Sequence, residues 1–201
     1  MITFLKVSVL GIITAAAAVL IEQLLAVFVS LVYQQEIVLG AYSRLGLALV
    51  AFAIIEELLK YLAIRFALRD IFKLRGLGFV LSSALIGLWW GLFESFLVVF
   101  SNPGYFSGAR NAEAEIMFSL LAITLIHLLT ATFMGIMISS RAAEAKVLLP
   151  RAIILPLLSH LLFNFLIIQK GNFTNWLVAI ELAVICLTDI TIFISNRRHL
   201  D

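Results

Sequence analysis

The sequence is short of the residues from which soluble and disulfide-bonded domains are built. Only one of its 201 residues is cysteine, three are proline, and charged residues make up 13%. A single cysteine, Cys186, excludes a disulfide framework and a cluster of thiolate ligands. The hydrophobic fraction is 63% and the mean hydropathy is +1.13, well beyond an ordinary soluble domain. A net charge of only +2 gives no indication of a nucleic-acid partner.

Long apolar runs dominate what is present. A membrane-spanning helix needs ~20 mostly apolar residues, and six segments satisfy this, at 7–33, 45–66, 77–100, 116–140, 148–168 and 174–195. Their connections are too short to hold a soluble domain. The sequence therefore predicts an all-α fold, a polytopic membrane helical bundle with about six transmembrane helices. Residues 1–201 are expected to form one integral membrane domain, with the polar motifs within about 45–168.

Basic residues are unevenly distributed between the predicted loops, and this sets the orientation of the bundle. Ten of the fourteen Lys and Arg residues fall on one side of the predicted membrane. The opposite side has only Arg44, Arg110 and Lys170, and Lys60 lies inside an apolar segment. Because basic loops stay in the cytoplasm, both termini are predicted to be cytoplasmic.

Two adjacent glutamates in the second apolar segment are the most informative feature of the chain. Glu56 and Glu57 stand in the run LALVAFAIIEELLKYLAIRFAL, where each ionised carboxylate costs at least ~2.5 kcal/mol. Lys60 follows them by four and three residues, within reach of either on a helix. Adjacent helical residues point about 100° apart, so the two carboxyls cannot address one water equally. The spacing alone does not decide which of them faces a site.

Further polar residues lie at a similar depth in other predicted helices. Counting along the helices at ~1.5 Å per residue places Glu56, Glu94 and His127 between the midplane and the outer half of the membrane. His160 and Asn164 reach the same layer, and their spacing of four puts them on one helix face. Because four helices contribute to one depth, we expect these residues to form a site.

Small residues mark one face of the third segment. Gly87 and Gly91 are four residues apart, so they line up on one side of a helix. In a membrane, residues of this size allow two helices to approach closely. We therefore expect this face to pack against a neighbouring helix.

The order and spacing of the polar residues resemble the PrsW family of intramembrane proteases, within a superfamily that includes CAAX-processing and bacteriocin-immunity membrane proteases. Four elements carry the resemblance: Glu56-Glu57-Leu58-Leu59-Lys60, Gly91-Leu92-Phe93-Glu94-Ser95, His127-Leu128-Leu129-Thr130 and His160-Leu161-Leu162-Phe163-Asn164. They span residues 56 to 164. The family often has phenylalanine four residues before the second acid, where this chain has Trp90.

The resemblance implies a glutamic-type intramembrane endopeptidase of a prokaryotic cell membrane. Its substrate would be a membrane-anchored protein, cleaved near the extracytoplasmic side by a glutamate-activated water. Such a mechanism requires no cofactor. The catalytic residues that the resemblance implies, with Lys60 in support, are Glu56, Glu57, Glu94, His127, His160 and Asn164.

The same resemblance suggests a role for each group. Glu56 would be the general base, and Glu94 would position or polarise the water. His160 and Asn164 would donate hydrogen bonds to the developing oxyanion. His127 would position water or pass on a proton. The choice of Glu56 over its neighbour rests on the family pattern.

Other interpretations use the same residues. A zinc-dependent protease, which needs three protein ligands and a water, would take its ligands from Glu56, Glu94, His127 and His160. No HExxH pair places two such ligands on one helix. Intramembrane acids also serve as proton or ion pathways in small transporters, although no inverted repeat is visible. The acids that lie inside apolar segments but outside the motifs are Glu22, which lies at midplane depth and could border the site, and Glu181 and Asp189, which could simply support helix packing.

Overall fold

The computed structural model describes residues 2–33, 46–101, 110–139, 145–169 and 171–196. Helix α1 is Ile2–Tyr33, α2 is Gly46–Leu62, α3 is Gly76–Ser101, α4 is Arg110–Ser139, α5 is Ala145–Gln169 and α6 is Asn172–Asn196. A π-helix, Ala63–Ile71, continues α2. No strand occurs in the described part of the chain. The predicted all-α bundle is confirmed, and each predicted segment corresponds to one helix.

Five of the helices are long and apolar enough to cross a membrane. The spans are Thr3–Phe28, Gly76–Ser101, Ala114–Ser139, Arg151–Gln169 and Asn172–Ser195. Large apolar side chains such as Phe28, Phe100 and Leu187 point outward and are exposed. This is the reverse of a soluble protein and is expected where lipid, not water, surrounds the helices. The chain is an integral membrane protein.

Helix α2 differs from the other five in how it ends. It has 17 residues and carries the glutamate pair, and the sequence predicts that this span ends at residue 66. Instead the helix widens into the π-helix and continues to Ile71, where the Phe72 N–H donates to the Ala67 carbonyl at 2.9 Å. The wider spacing brings the Arg65 guanidinium within 3.0 Å of the Asp70 carboxylate. Segments of π-helix are rare and often lie beside functional sites.

Five helices close a ring. α1 packs against α2 and α3, α2 packs against α5, α5 against α4, and α4 against α3. Helix α6 lies outside the ring, against α4 and α5. One apolar cluster joins α1 to α4 around Ile64, Ile86 and Met134, and a second joins α4, α5 and α6 around Ile126 and Phe163. Packing of these two clusters fixes the positions of the helices whose polar residues face one another.

The glycines of α3 set the distance between α3 and α4, as predicted from their spacing. A Cβ on Gly91 would lie 2.5 Å from the Cα of Thr124. A Cβ on Gly87 would meet the His127 carbonyl group and would lie 2.7 Å from the Cβ of Ala131. Only a hydrogen atom fits at either position, so α4 lies directly against α3. The contact also fixes the height of His127 in the bundle.

Replacing Gly87 with alanine is expected to push α4 away from α3. Overpacking of this kind costs about 1–3 kcal/mol, so the free energy of unfolding in detergent should fall by that amount. Gly78→Ala on the same helix is the matched control, because a Cβ there meets nothing within 4 Å. Equal stability of the two variants, measured by reversible unfolding, would contradict the close contact.

Candidate functional site

Polar side chains from four helices meet inside the ring. His127 of α4 and His160 of α5 lie edge to face, with ring centroids 4.9 Å apart. Around them are three side chains of α2 and one of α3. Of the residues predicted from sequence, those brought into one connected cluster are Glu56, Glu57, Lys60, Glu94, His127 and His160.

Lys60 is the cation at the centre of this cluster. Its side chain is 0% exposed and forms an ion pair with Glu57, whose side chain is also 0% exposed. The ammonium also lies 2.9 Å from Nδ1 of His127 and 3.4 Å from Oγ1 of Thr130. An ammonium has three protons to donate, and Lys60 therefore has one acceptor for each. The sequence left open which glutamate Lys60 pairs with, and the structure shows Glu57.

Glu57 also forms a hydrogen bond with His160. Its Oε1 atom accepts a hydrogen bond from Nδ1 of His160 at 2.6 Å, in addition to the bond from Lys60. One carboxylate oxygen thus ties α2 to α5 and, through Lys60, to α4. A buried charge with partners of this kind is strongly stabilising relative to the same charge unpaired. Glu57 is therefore placed to hold α2, α4 and α5 together.

Glu56 faces the two histidines from the other side. Its side chain is 14% exposed, and its Oε2 atom lies 3.5 Å from Nε2 of His160 and 3.8 Å from Nε2 of His127. This oxygen is buried, and no N–H or O–H group of the described residues forms a hydrogen bond to it. A buried carboxylate oxygen without a donor is costly. Glu57 Oε2 also lacks a donor, but Glu57 is bound through Oε1 to Lys60 and His160, whereas the donor-free oxygen of Glu56 faces Nε2 of both histidines.

Hydrogen bonding assigns opposite tautomers to the two histidines. Lys60 donates to Nδ1 of His127, so the proton of the neutral ring is on Nε2, where it is donated to Glu94. His160 donates from Nδ1 to Glu57, which leaves a lone pair on Nε2 facing Glu56. The Glu94 side chain is 37% exposed, the largest value in the cluster.

Comparison with known proteins places the chain in one family. The sequence model of the PrsW family intramembrane metalloprotease matches residues 2–192, which include all four motif elements. The chain belongs to the PrsW family. No curated protein and no solved structure gave a match.

Membership of the PrsW family confirms the predicted enzyme class at the level of an intramembrane protease. The family description names a metalloprotease, which fits the zinc alternative better than the expectation of no cofactor. The glutamic-type mechanism is not part of that description. It therefore matters whether the residues of this chain can bind a divalent ion.

Glu56, His127 and His160 are the group best placed to hold a metal ion. One ligand atom from each lies within 4.8 Å of the others. Tetrahedral zinc with bonds of 2.0–2.2 Å requires its ligand atoms to be about 3.4 Å apart, close to the two distances from Glu56. The His160–Glu57 bond is the carboxylate–histidine pair that orients metal ligands. Glu94, the fourth ligand in the zinc alternative, contacts His127 instead and is not in this group.

His127 is the ligand whose hydrogen bonds conflict with a metal ion. A metal bound at Nε2 needs the lone pair there, and Nδ1 must then carry the proton. That proton would point at the Lys60 ammonium 2.9 Å away. Glu56 and His160 can therefore each offer a ligand atom to an ion without any change in their hydrogen bonds. His127 fits one only when the Lys60 ammonium turns away from Nδ1.

Trp90 and Thr130 also contact the site, although neither is among the catalytic residues predicted from sequence. Trp90 is expected from sequence to pack or to face lipid. It packs in the core, where it is buried, and Nε1 donates to Oγ1 of Thr14 at 3.0 Å. Its ring lies 5.3 Å from the Lys60 ammonium and 6.1 Å from the His127 ring. Thr130 hydrogen bonds Lys60 and not the histidine ring. The signal for Trp90 was its position one helical turn before Glu94.

The remaining predicted residues fall at different distances from the cluster. Asn164 is half-buried one turn after His160, and no hydrogen bond within the described residues joins it to the cluster. Glu22 of α1 is buried, and its Oε1 atom has no hydrogen-bond partner among the described residues. Glu181 and Asp189 are buried on α6, outside the ring, and none of their oxygens has a hydrogen-bond partner among the described residues. Neither acid therefore forms an interhelical hydrogen bond with a described residue.

Replacing Lys60 with methionine should lower the free energy of unfolding, because Glu57 would be left as a buried charge without its cation. Removing one partner of a buried pair costs about 3–5 kcal/mol. The control is Arg65→Met, which removes the exposed Arg65–Asp70 pair and should cost about 1 kcal/mol or less. Reversible unfolding in detergent measures both changes. If Lys60→Met costs no more than the control, Lys60 does not organise the site.

Proposed function

We propose that the chain is an endopeptidase that hydrolyses a peptide bond of a membrane-anchored protein, with the reacting water held at Glu56 between His127 and His160. The observation that carries this proposal is the buried Oε2 atom of Glu56, which faces Nε2 of both rings and has no donor. A carboxylate in this position attracts a water or a cation. Family membership supports peptide hydrolysis over the transporter alternative.

The position of the cluster suggests where the substrate is cleaved. With both termini in the cytoplasm, as the charges predict, the cluster lies in the outer half of the membrane. The substrate would then be cleaved near its extracytoplasmic boundary, and a prokaryotic cell membrane is the expected location. Glu94, the exposed member of the cluster, would face the water that enters from that side.

We propose zinc, or a divalent ion of similar preference, as the group held by Glu56, His127 and His160. Such an ion supplies Lewis acidity, acidifying a water and polarising the peptide carbonyl. Glu57 would orient His160 through the existing Nδ1 bond, and Lys60 would keep Glu57 ionised and in place. Glu94 would accept the proton that the water gives up, since it is exposed and adjacent to His127.

A second mechanism without metal is favoured by the contacts of His127. The chain of bonds from Lys60 through His127 to Glu94 is complete without an ion. In this mechanism Glu56 removes a proton from water, and the hydroxide adds to the peptide carbonyl carbon. The proton then passes from Glu56 to the leaving nitrogen as the C–N bond breaks. The Asn164 amide, one turn from His160, would donate to the oxyanion.

Glu56→Gln separates the proposed function from a structural role of the cluster. The amide cannot accept the proton or hold a cation as strongly, so cleavage of a membrane-anchored reporter should fall about 10²-fold or more. Glu57→Gln is the matched neighbour and should mainly lower the free energy of unfolding, since Lys60 loses its ionic partner. Full turnover by Glu56→Gln, with folding confirmed, would disprove the assignment.

The metal content of the purified protein distinguishes the two mechanisms. The zinc proposal predicts about one ion per chain, measured by mass spectrometry. The ion should be lost in the Glu56→Ala/His160→Ala variant and kept in Glu94→Gln, because Glu94 is outside the ligand group. Strong chelation should stop cleavage and added zinc should restore it. Cleavage by fully metal-free protein would instead support the glutamate mechanism.

A further inference from the structure

A groove opens on the outer surface of the bundle, where α1 lies against the end of the π-helix. It has a volume of about 420 Å³, and its lining residues are Leu5, Lys6, Val9, Leu10, Ile13 and Phe72. The side chains of Leu5, Val9 and Ile13 are exposed, whereas Leu10 and Phe72 pack against the apolar cluster between the helices. The groove is therefore open to lipid on one side and closed by protein on the other.

The walls of the groove are apolar except at one end. Leu5, Val9 and Ile13 are spaced by four residues and form one stripe along α1. Lys6 is exposed and lies seven residues before Ile13, about 10 Å along the helix. It is also close to the end of the apolar span Thr3–Phe28. The groove thus begins at a cation near the membrane boundary and continues as an apolar surface toward the membrane interior.

The end of the π-helix supplies the opposite wall. The Phe72 N–H donates to the Ala67 carbonyl at 2.9 Å, and the Leu74 N–H donates to the Leu68 carbonyl at 3.0 Å. Leu68 is fully buried in the apolar cluster that includes α1. These bonds fix the backbone on both sides of Phe72, so its ring is held beside α1.

The residue after Phe72 has an unusual backbone conformation. Lys73 has a φ of 54°, in the left-handed region that glycine adopts readily and that residues with a Cβ adopt at a cost in free energy. Strain of this kind is concentrated at functional positions. The Lys73 side chain is exposed. Because Phe72 and Lys6 line one groove, Lys73 places a second ammonium on the same side of the bundle as Lys6.

The two ammonium groups are available to an anion from outside the chain. Neither Lys6 nor Lys73 forms an ion pair with a described residue. Asp70, the acid closest to Lys73 in sequence, already pairs with Arg65 at 3.0 Å. The positive charge at this end of the groove is therefore not neutralised by the described part of the protein.

A cation at the membrane boundary above an apolar surface has the complementary shape and charge of an anionic phospholipid. Basic pockets between membrane helices bind anionic headgroups on the cytoplasmic side. With both termini in the cytoplasm, as the charges predict, the groove opens to that leaflet. A second copy packed through the same groove would bring Lys6 and Lys73 of both chains together, since a symmetric dimer uses the same surface twice. Like charges then oppose the contact.

We propose that the groove between α1 and the π-helix binds one anionic phospholipid of the surrounding membrane. Its phosphate lies at Lys6 and Lys73, and an acyl chain follows Val9 and Ile13 beside Phe72. The bound lipid would join α1 to the π-helix, which continues the helix that carries the glutamate pair. Lipid binding at this position does not depend on peptide cleavage.

Native mass spectrometry of the purified full chain in detergent tests the proposal with two lipids of identical acyl chains. Phosphatidylglycerol carries a net negative charge and phosphatidylcholine carries none. The wild-type protein should bind one phosphatidylglycerol at least about tenfold more tightly than phosphatidylcholine, because two lysines face the phosphate. Equal affinity for the two lipids would overturn the proposal.

Lys6→Gln tests the headgroup contact. Phosphatidylglycerol binding should weaken about fivefold, the effect of one basic residue near the membrane surface, and phosphatidylcholine binding should not change. Arg151→Gln is the matched control, because Arg151 is an exposed cation on the same predicted side of the membrane but lies on α5, outside the groove. Equal losses in the two variants would mean that only the overall charge attracts the lipid, which contradicts a site.

Lys73→Gly separates the charge of Lys73 from its backbone. Glycine adopts the left-handed conformation without strain, so the free energy of unfolding should not fall. Phosphatidylglycerol binding should nevertheless weaken about fivefold. Undiminished binding by the folded variant would contradict the proposed position of the phosphate.

Val9→Trp tests whether the acyl chain occupies the groove. The indole would fill the space along α1, so the bound phosphatidylglycerol should be lost. Val27→Trp is the control, because Val27 is a similarly exposed valine of α1 outside the groove, and it should bind lipid normally. Retained binding by Val9→Trp, or displacement of the lipid by soluble glycerol phosphate, would mean that the headgroup alone is bound. A dimer that dissociates in Val9→Trp would assign the groove to a second copy instead.

Discussion

The buried ammonium of Lys60 is the constraint on which the rest of the site depends. It lies in the membrane interior with no exposed surface and gives its three protons to Glu57, His127 and Thr130. A cation in this environment persists only when every donor is used. These bonds join α2 to α4, and Glu57 extends them to α5 through His160. The contacts of Lys60 determine which carboxylate oxygens and ring nitrogens of the cluster remain available to bind a water or an ion.

The Lys60 cation makes the two glutamates differ in their hydrogen bonds, and it does the same for the two histidines. Lys60 pairs with Oε1 of Glu57, whereas Glu56 has no such pair and its donor-free Oε2 atom faces the two histidines. Lys60 also donates to His127, so the proton of that ring is on Nε2, whereas His160 keeps a lone pair there. The same contact opposes metal binding by His127. In this chain, binding of an ion at Glu56, His127 and His160 therefore requires a shift of Lys60.

The helices and their polar layer could be predicted from sequence because both depend on local patterns. Apolar runs of the right length predict spans, and counting residues along them placed Glu94 and His127 at one depth. The choice of partners could not be predicted. Whether Lys60 meets Glu56 or Glu57 depends on the rotation of α2 against α5. The position of Trp90 beside Lys60 depends on the packing of α1, whose Thr14 accepts the Trp90 hydrogen bond and whose small residues look like ordinary helix contacts.

The tautomers of the two histidines test this account most directly. Nitrogen-15 NMR of metal-free protein labelled at histidine distinguishes a protonated ring nitrogen from one with a lone pair. The account predicts an unprotonated Nδ1 in His127, beside Lys60, and a protonated Nδ1 in His160, beside Glu57. Single His→Gln variants would assign the signals of His127 and His160 and separate them from those of His199, the third histidine of the chain. The same tautomer in both rings, or the reverse pair, would contradict the central role of Lys60.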